Sequence, residues 1–170
     1  MRLELFDRRE GLFELRLGGE KNPAFPIDAK TLGAAPDLLD RLLAALRAEL
    51  PDLPLLTAAD DVEPYRHDRT EYARPGMPLG VAVPTTTAEV ATIVRLAAAH
   101  RVPLVTRGAG SGVSGGSLAV DGGLTISMAK MDAVVEIDVA NLVVRCGPGI
   151  MNAELGRRVA EHGLFYPPDP

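Results

Sequence analysis

Cysteine is nearly missing from this chain: Cys146 stands alone, so no internal disulfide can form. It sits in the apolar run "LVVRCG", where a small buried hydrophobe is expected, and a chain that needs no disulfide suits a reducing cytoplasm. A basic excess is missing too. Eighteen Lys and Arg face 23 Asp and Glu, and the net charge of -5 leaves no concentrated positive face for nucleic acid. No stretch reaches the roughly 18 apolar residues that spanning a bilayer needs, so no transmembrane segment is expected. The opening "MRLELFDRRE" mixes both charge signs without an apolar h-region, and a signal peptide is not expected either. Histidine is scarce. His67, His100 and His162 each read as surface or packing residues, and neither a catalytic residue nor a metal ligand is expected in this chain. What the chain does have is apolar side chains, 46% of the total, enough to build a core and argue against disorder.

The apolar spacing gives an order of elements. Residues 2–17 alternate, with Leu3 and Leu5 answered by Phe13, Leu15 and Leu17, which predicts a two-stranded hairpin. A Gly- and Pro-rich connector follows. From Asp37 to Leu50 the leucines at 38, 39, 42, 43, 46 and 50 share a helical face, with Asp37 as the cap and Pro51 as the stop. The polar, proline-punctuated stretch "DDVEPYRHDRTEYARPGMP" reads as loop. Then "GVAVP" predicts a buried strand, "TTTAEVATIVRLAAAHR" a helix opened by a Thr86/Glu89 capping box, and "VPLVT" a second strand. In that helix Val90, Ile93, Val94 and Ala97 recur at helical spacing. Strand, helix and strand make a βαβ unit with parallel strands. Beyond it, "GGLTISM", "AVVEID" and "NLVVRC" have the rhythm of antiparallel strands, and Asn152 to His162 forms a short helix ended by Gly163. The expected class is α+β.

Between the second strand and the antiparallel run lies "TRGAGSGVSGGSLAV". Gly108, Gly110, Gly112, Gly115 and Gly116 are interleaved here with Ala109, Ser111, Val113, Ser114 and Ser117. Ordered glycine costs entropy, so such a cluster is either a flexible surface loop or a place where backbone closely approaches a ligand. Its position at the carboxyl end of a parallel strand favours a site. Three familiar patterns match. Gly110, Gly112 and Gly115 fit G-x-G-x-x-G, but no helix opens from the loop to meet a pyrophosphate. A Walker A loop needs lysine where Gly116 stands. Gly112, Ser114 and Gly116 fit G-x-S-x-G, yet the strand and helix that make a nucleophile elbow are missing. Ser127 to Lys130 matches S-x-x-K only at a strand end. What remains is a nest, in which consecutive N–H groups bind an anion without lysine. Arg107 either adds charge to that nest or is a structural arginine paired with an acid.

The ordered run "VAVPTTTAEVATIVRLAAAHRVPLVTRGAGSGVSGGSL", continued by "ISMAKMDAVVEIDVANLVVRCGPGIMNAELGRRVAEHGLFYPPDP", resembles the FAD-binding domain of the vanillyl-alcohol oxidase and p-cresol methylhydroxylase family. Within it, the D-subunit of glycolate oxidase and flavin-dependent D-lactate dehydrogenases are most similar. The shared features are the proline after the first strand, P-x-x-x-R-G-x-G, G-P-G and P-P-D-P. The resemblance implies that Arg107 to Ser117 wraps the FAD pyrophosphate and ribityl chain. It puts Pro84 near the adenine, and Pro148, Gly149, Pro168 and Asp169 along the cofactor's path. Some relatives attach flavin through a histidine four residues after the loop arginine. That position is Ser111 here, which implies a non-covalent flavin.

The family's substrate-binding arginine, catalytic histidine and cap domain would lie beyond "YPPDP", so residues 61–170 read as the N-terminal part of an FAD-binding domain and residues 1–60 as an extension. The implied reaction oxidises a small 2-hydroxy acid such as glycolate or D-lactate to the 2-oxo acid, with electrons passing to a quinone, a cytochrome or an iron-sulfur subunit. The implied location is the cytoplasm, free or peripheral to the inner face of the membrane. Two other readings stay open: a stand-alone module binding a different phosphorylated ligand, and an inactive truncation.

Overall fold

A computed structural model of the chain describes residues 3–8, 12–17 and 36–168. Two compact units divide it, residues 1–35 and 36–170. In the first, β1 (Leu3–Arg8) and β2 (Leu12–Leu17) pair antiparallel, with Leu3 opposite Leu17 and Leu5 opposite Leu15. This is the hairpin that the alternation predicts. The connector expected after it lies outside the described residues.

The second unit begins with α1 (Pro36–Glu49). The helix starts one residue before Asp37, so Asp37 sits in its first turn, and proline is well suited to that first turn because its missing N–H has no intrahelical partner to lose. β3 (Leu55–Leu56) and α2 (Ala59–Val62) follow, the latter running into a 3-10 turn over Glu63–Tyr65. Next come β4 (Gly80–Ala82), α3 (Thr87–Ala99), β5 (Leu104–Arg107), β6 (Leu124–Ser127), β7 (Val134–Asp138), β8 (Val143–Cys146) and α4 (Asn152–Ala160).

Four strands form one sheet in the order β3-β4-β6-β5. β4 and β5 each pair parallel with β6, and the two-residue β3 pairs antiparallel with β4. The α+β class and the parallel relation of β4 and β5 hold. The expectation that "GGLTISM" starts an antiparallel run does not: β6 lies between β4 and β5, parallel to both. Its Leu-Thr-Ile-Ser alternation imitates a strand with one wet face, yet all four residues are buried. Both faces of the sheet are covered there, and small hydroxyl side chains fit under the second cover. Of the three runs expected to be antiparallel, only β7 and β8 pair that way.

One face of the sheet carries α1 and α3. Leu42, Leu46, Ile93 and Ala97 pack with Ala82, Leu124 and Ile126 in a single cluster, each side chain fully removed from solvent. A bond between Arg95 and Glu49 joins the two helices at the surface. On α3 the buried stripe is Ile93, Leu96 and Ala97, while Val94 turns outward on its flank. The capping box is present: Thr86 Oγ1 accepts from the Glu89 N–H, and Glu89 Oε2 accepts from the N–H groups of Thr85 and Thr86. Across the sheet, Val81 and Val83 pack with Val62, Leu56 and Tyr65.

Cys146 differs from expectation. It is exposed at the end of β8, because a two-stranded ribbon has too few neighbours to bury alternate residues on both faces. α4 buries Leu155 and Val159, and Gly163 follows it at a φ of 72°.

Candidate functional site

The parallel register brings three connections to one edge of the sheet. Ala82, Thr106 and Ile126 stand level on β4, β5 and β6, so the segments that leave these strands emerge side by side. Ligands of parallel sheets bind beyond this carboxyl edge. The turn Gly147-Pro148-Gly149 packs against the segment after β6: the Gly149 N–H donates to the Met131 carbonyl (3.0 Å) and the Gly147 N–H to the Ala133 carbonyl (2.8 Å). A Cβ on Gly149 would lie 1.9 Å from the Met128 carbonyl oxygen, so glycine is required for this approach. The Pro148 carbonyl in turn is the nearest group to a Cβ built on Gly108, at 3.9 Å. The glycine loop and the G-P-G turn are therefore neighbours.

The loop itself, residues 108–123, is the crossover between β5 and β6, and it contains no helix. Among the described residues, no backbone N–H from Gly108 through Gly116 donates to a protein acceptor. φ is 69° at Gly110 and 79° at Gly115, left-handed values of the kind from which anion-binding nests are built. Nothing lies within 4 Å of a Cβ on Gly112 or Gly116. The loop thus offers unengaged N–H donors among small residues, the chemistry that anion binding by backbone requires.

Arg107 closes the entrance of the loop. Its Nη1 donates to the His67 carbonyl (2.6 Å) and Nη2 to the Pro64 carbonyl (3.4 Å), with the guanidinium 6.0 Å from the centre of the Tyr65 ring. The structural alternative for this arginine holds in altered form, since its partners are carbonyl groups rather than an acid. The guanidinium folds over Gly110, where a Cβ would lie 2.1 Å from Nη2. At the exit, the Ser117 N–H and Oγ donate to Asp68 Oδ2 at 3.4 and 3.5 Å, and the Thr70 N–H donates to Asp68 Oδ1 at 2.8 Å. Partial burial tends to raise the Asp68 pKa, but these bonds from Thr70 and Ser117 outweigh it and hold the carboxyl below its ordinary value.

Of the other residues singled out from sequence, Pro84 follows β4 and is fully buried. Ser111, Val113 and Ser114 are exposed in the loop, and Ala109 beside them is exposed too. No helix leaves the loop after Ser114, which removes the nucleophile-elbow and dinucleotide-fingerprint patterns alike. Pro148 and Pro168 are exposed, and Asp169 lies outside the described residues. His67 contributes its carbonyl to Arg107, His100 caps the end of α3, and His162 follows α4. The segment over residues 63–77, whose proline-punctuated polar sequence gives no sign of a role in the site, touches the glycine loop at several points. Its local signal was the Asp68-x-Thr70 turn. No helix among the described residues is long and apolar enough to cross a membrane.

Comparison with solved structures defines the fold first. Substrate-bound p-cresol methylhydroxylase superposes with a TM-score of 0.68, over 78% of this chain and 26% of that chain, at 22% identity. The fold is thus the one expected from the resemblance. The family described as "FAD binding domain" matches residues 78–170, and the chain belongs to that family. Its cofactor is FAD.

Among curated relatives, glycolate oxidase subunit GlcD of Escherichia coli (strain K12) is 38% identical over 140 residues, covering 81% of this chain. D-lactate dehydrogenase of Anaerostipes hadrus is 33% identical over 108 residues, covering 64% of this chain. The matched spans are 28% and 23% of the lengths of those two proteins.

Proposed function

We propose that this chain forms the pyrophosphate-holding part of an FAD-dependent oxidoreductase of small 2-hydroxy acids, of the glycolate or D-lactate type. The observation that carries the reading is the run of unengaged backbone N–H groups from Gly108 to Gly116 at the carboxyl edge of β4, β6 and β5. These groups would hold the pyrophosphate, with the remaining loop residues through Ser117 and the Pro148-Gly149 turn beside them. Pro84 would approach the adenine through its main chain, and Pro168 and Asp169 would border the cofactor's path. Arg107 supports the loop from behind and adds positive charge near the phosphates. Serine at position 111 leaves no histidine for covalent attachment there, so the flavin is held by non-covalent contacts.

Bound FAD supplies an acceptor for the hydride that leaves the hydroxyl-bearing carbon, turning a 2-hydroxy acid into a 2-oxo acid. This chain's part is to bind and orient. The base that takes the hydroxyl proton and the groups that grip the carboxylate belong to other residues of the whole protein. So does the contact with a quinone, a cytochrome or an iron-sulfur partner. The FAD-binding part comprises residues 61–170, and residues 1–60 precede it as an extension. A cytoplasmic place, at most peripheral to the membrane's inner face, suits the lone cysteine.

The test mixes the purified 170-residue chain with FAD, removes the excess by gel filtration and records the visible spectrum. A retained flavin spectrum supports the reading. A colourless protein overturns the claim that these residues carry the principal contacts.

A further inference from the structure

We propose that the segment from Glu63 to Met77 is a strap that shapes the glycine loop before the cofactor arrives, and that Asp68 is its positioning residue. The proposal rests on the reading of the loop as the FAD site. The strap lies outside residues 78–170, the span matched by the FAD binding domain family, so that match gives it no role.

Its contacts meet the loop at three places. At the entrance, Arg107 donates to the carbonyl oxygens of His67 and Pro64. In the middle, the Arg69 N–H donates to the Gly112 carbonyl at 2.9 Å. At the exit, Asp68 accepts from Ser117, the Ala119 N–H donates to the Arg66 carbonyl (3.0 Å), and the Gly76 N–H donates to the Ala119 carbonyl (2.7 Å). Two bonds fasten the strap's far end: Arg66 Nε donates to the Gly76 carbonyl (3.0 Å), and the Met77 N–H to Asp121 Oδ1 (2.6 Å).

The chemistry of these contacts is selective. In the middle of the loop the strap engages a carbonyl, and it engages N–H groups only from Ser117 onward. The N–H groups from Gly108 to Gly116 stay available for an anion. A glycine-rich crossover without these ties would sample many conformations, and binding would then have to order it. Asp68 holds the arrangement together because one carboxylate oxygen closes the strap's own turn at Thr70 while the other reaches the loop's exit at Ser117.

The test compares the full 170-residue chain with Asp68→Ala and Asp68→Asn. Three quantities are read: FAD affinity from quenching of flavin fluorescence, the thermal midpoint without FAD, and amide hydrogen exchange of residues 108–117 without FAD. Asp68→Ala is expected to weaken FAD binding by about tenfold or more, to speed exchange in the loop, and to leave the midpoint nearly unmoved. Asp68→Asn keeps an acceptor for Thr70 and turns a donor toward Ser117, so it loses a smaller factor. It carries the test if the alanine variant fails to fold.

FAD affinity and loop exchange equal to wild type, or affinity that rises with loss of the negative charge, overturn the proposal. If wild type itself binds no FAD, the functional reading fails. Faster loop exchange in Asp68→Ala would then still support the strap.

Discussion

Replacing Gly110 with alanine puts a methyl group where the Arg107 guanidinium lies, 2.1 Å from Nη2 and 2.3 Å from Cζ, at a φ of 69°. The guanidinium is the far end of a flexible side chain and can swing away, but only by giving up its bonds to the His67 and Pro64 carbonyls. Left-handed backbone costs alanine about 1–2 kcal/mol, and each lost hydrogen bond about 1 kcal/mol net. Gly110→Ala should therefore destabilise the protein by roughly 3–4 kcal/mol, or about 10–14 °C in thermal midpoint for a unit of this size.

Gly112 provides the contrast. Its φ is not positive and nothing lies within 4 Å of its Cβ position, so Gly112→Val should change stability by less than about 1 kcal/mol. The bulk would nevertheless stand in the open side of the loop, where the pyrophosphate is proposed to sit. Thermal unfolding followed by circular dichroism reads the first effect, and flavin retained through gel filtration reads the second. Gly110→Ala should lose midpoint and flavin together, and Gly112→Val flavin alone. A Gly110→Ala protein as stable as wild type would refute the packing argument. A Gly112→Val protein that keeps its flavin would refute the nest.

Leu46 is completely buried between α1 and the sheet, so Leu46→Ala should cost about 2–5 kcal/mol, seen as a lower urea midpoint with an unchanged slope. Glu89 gives a pH-dependent test. The backbone N–H of Thr85, followed by that of Thr86, holds the Glu89 carboxyl below its ordinary value of 4.5. A depressed carboxylate pKa means that the capping contribution is complete above about pH 4.5 and is lost as pH falls through the depressed value. Glu89→Gln should thus be less stable than wild type by a few tenths to about 1 kcal/mol at pH 7, and the difference should shrink toward zero in acid. A difference that grows on acidification would contradict the sign.

The parts of this protein that could be read from the sequence are those whose causes lie within about fifteen residues. The Thr86/Glu89 box is a contact between near neighbours, and it forms as the spacing requires. The buried stripe of α3 follows from helical periodicity, and the pairing of Leu3 with Leu17 and Leu5 with Leu15 follows from alternation. The placing of the glycine stretch after a parallel strand was local information too. Val94 shows the limit of periodicity, which finds the stripe but not its exact width.

The sequence by itself determined the longer elements, the class and the family, because caps, periodic faces and the ordered motifs from Pro84 to Pro168 are properties of short segments, whereas β3, α2 and the 3-10 turn over Glu63–Tyr65 were not legible in it. Tertiary structure decided which segments meet. β6 enters between β4 and β5 with its hydroxyl-bearing face buried, something its own alternation cannot report. Cys146 is exposed because β7 and β8 form a ribbon of two rather than joining the larger sheet. Arg107 found carbonyl partners 40 and 43 residues earlier, and Asp68 reached Ser117 across 49 residues. Such contacts depend on how distant surfaces close on one another, and in this chain they give the glycine loop its shape.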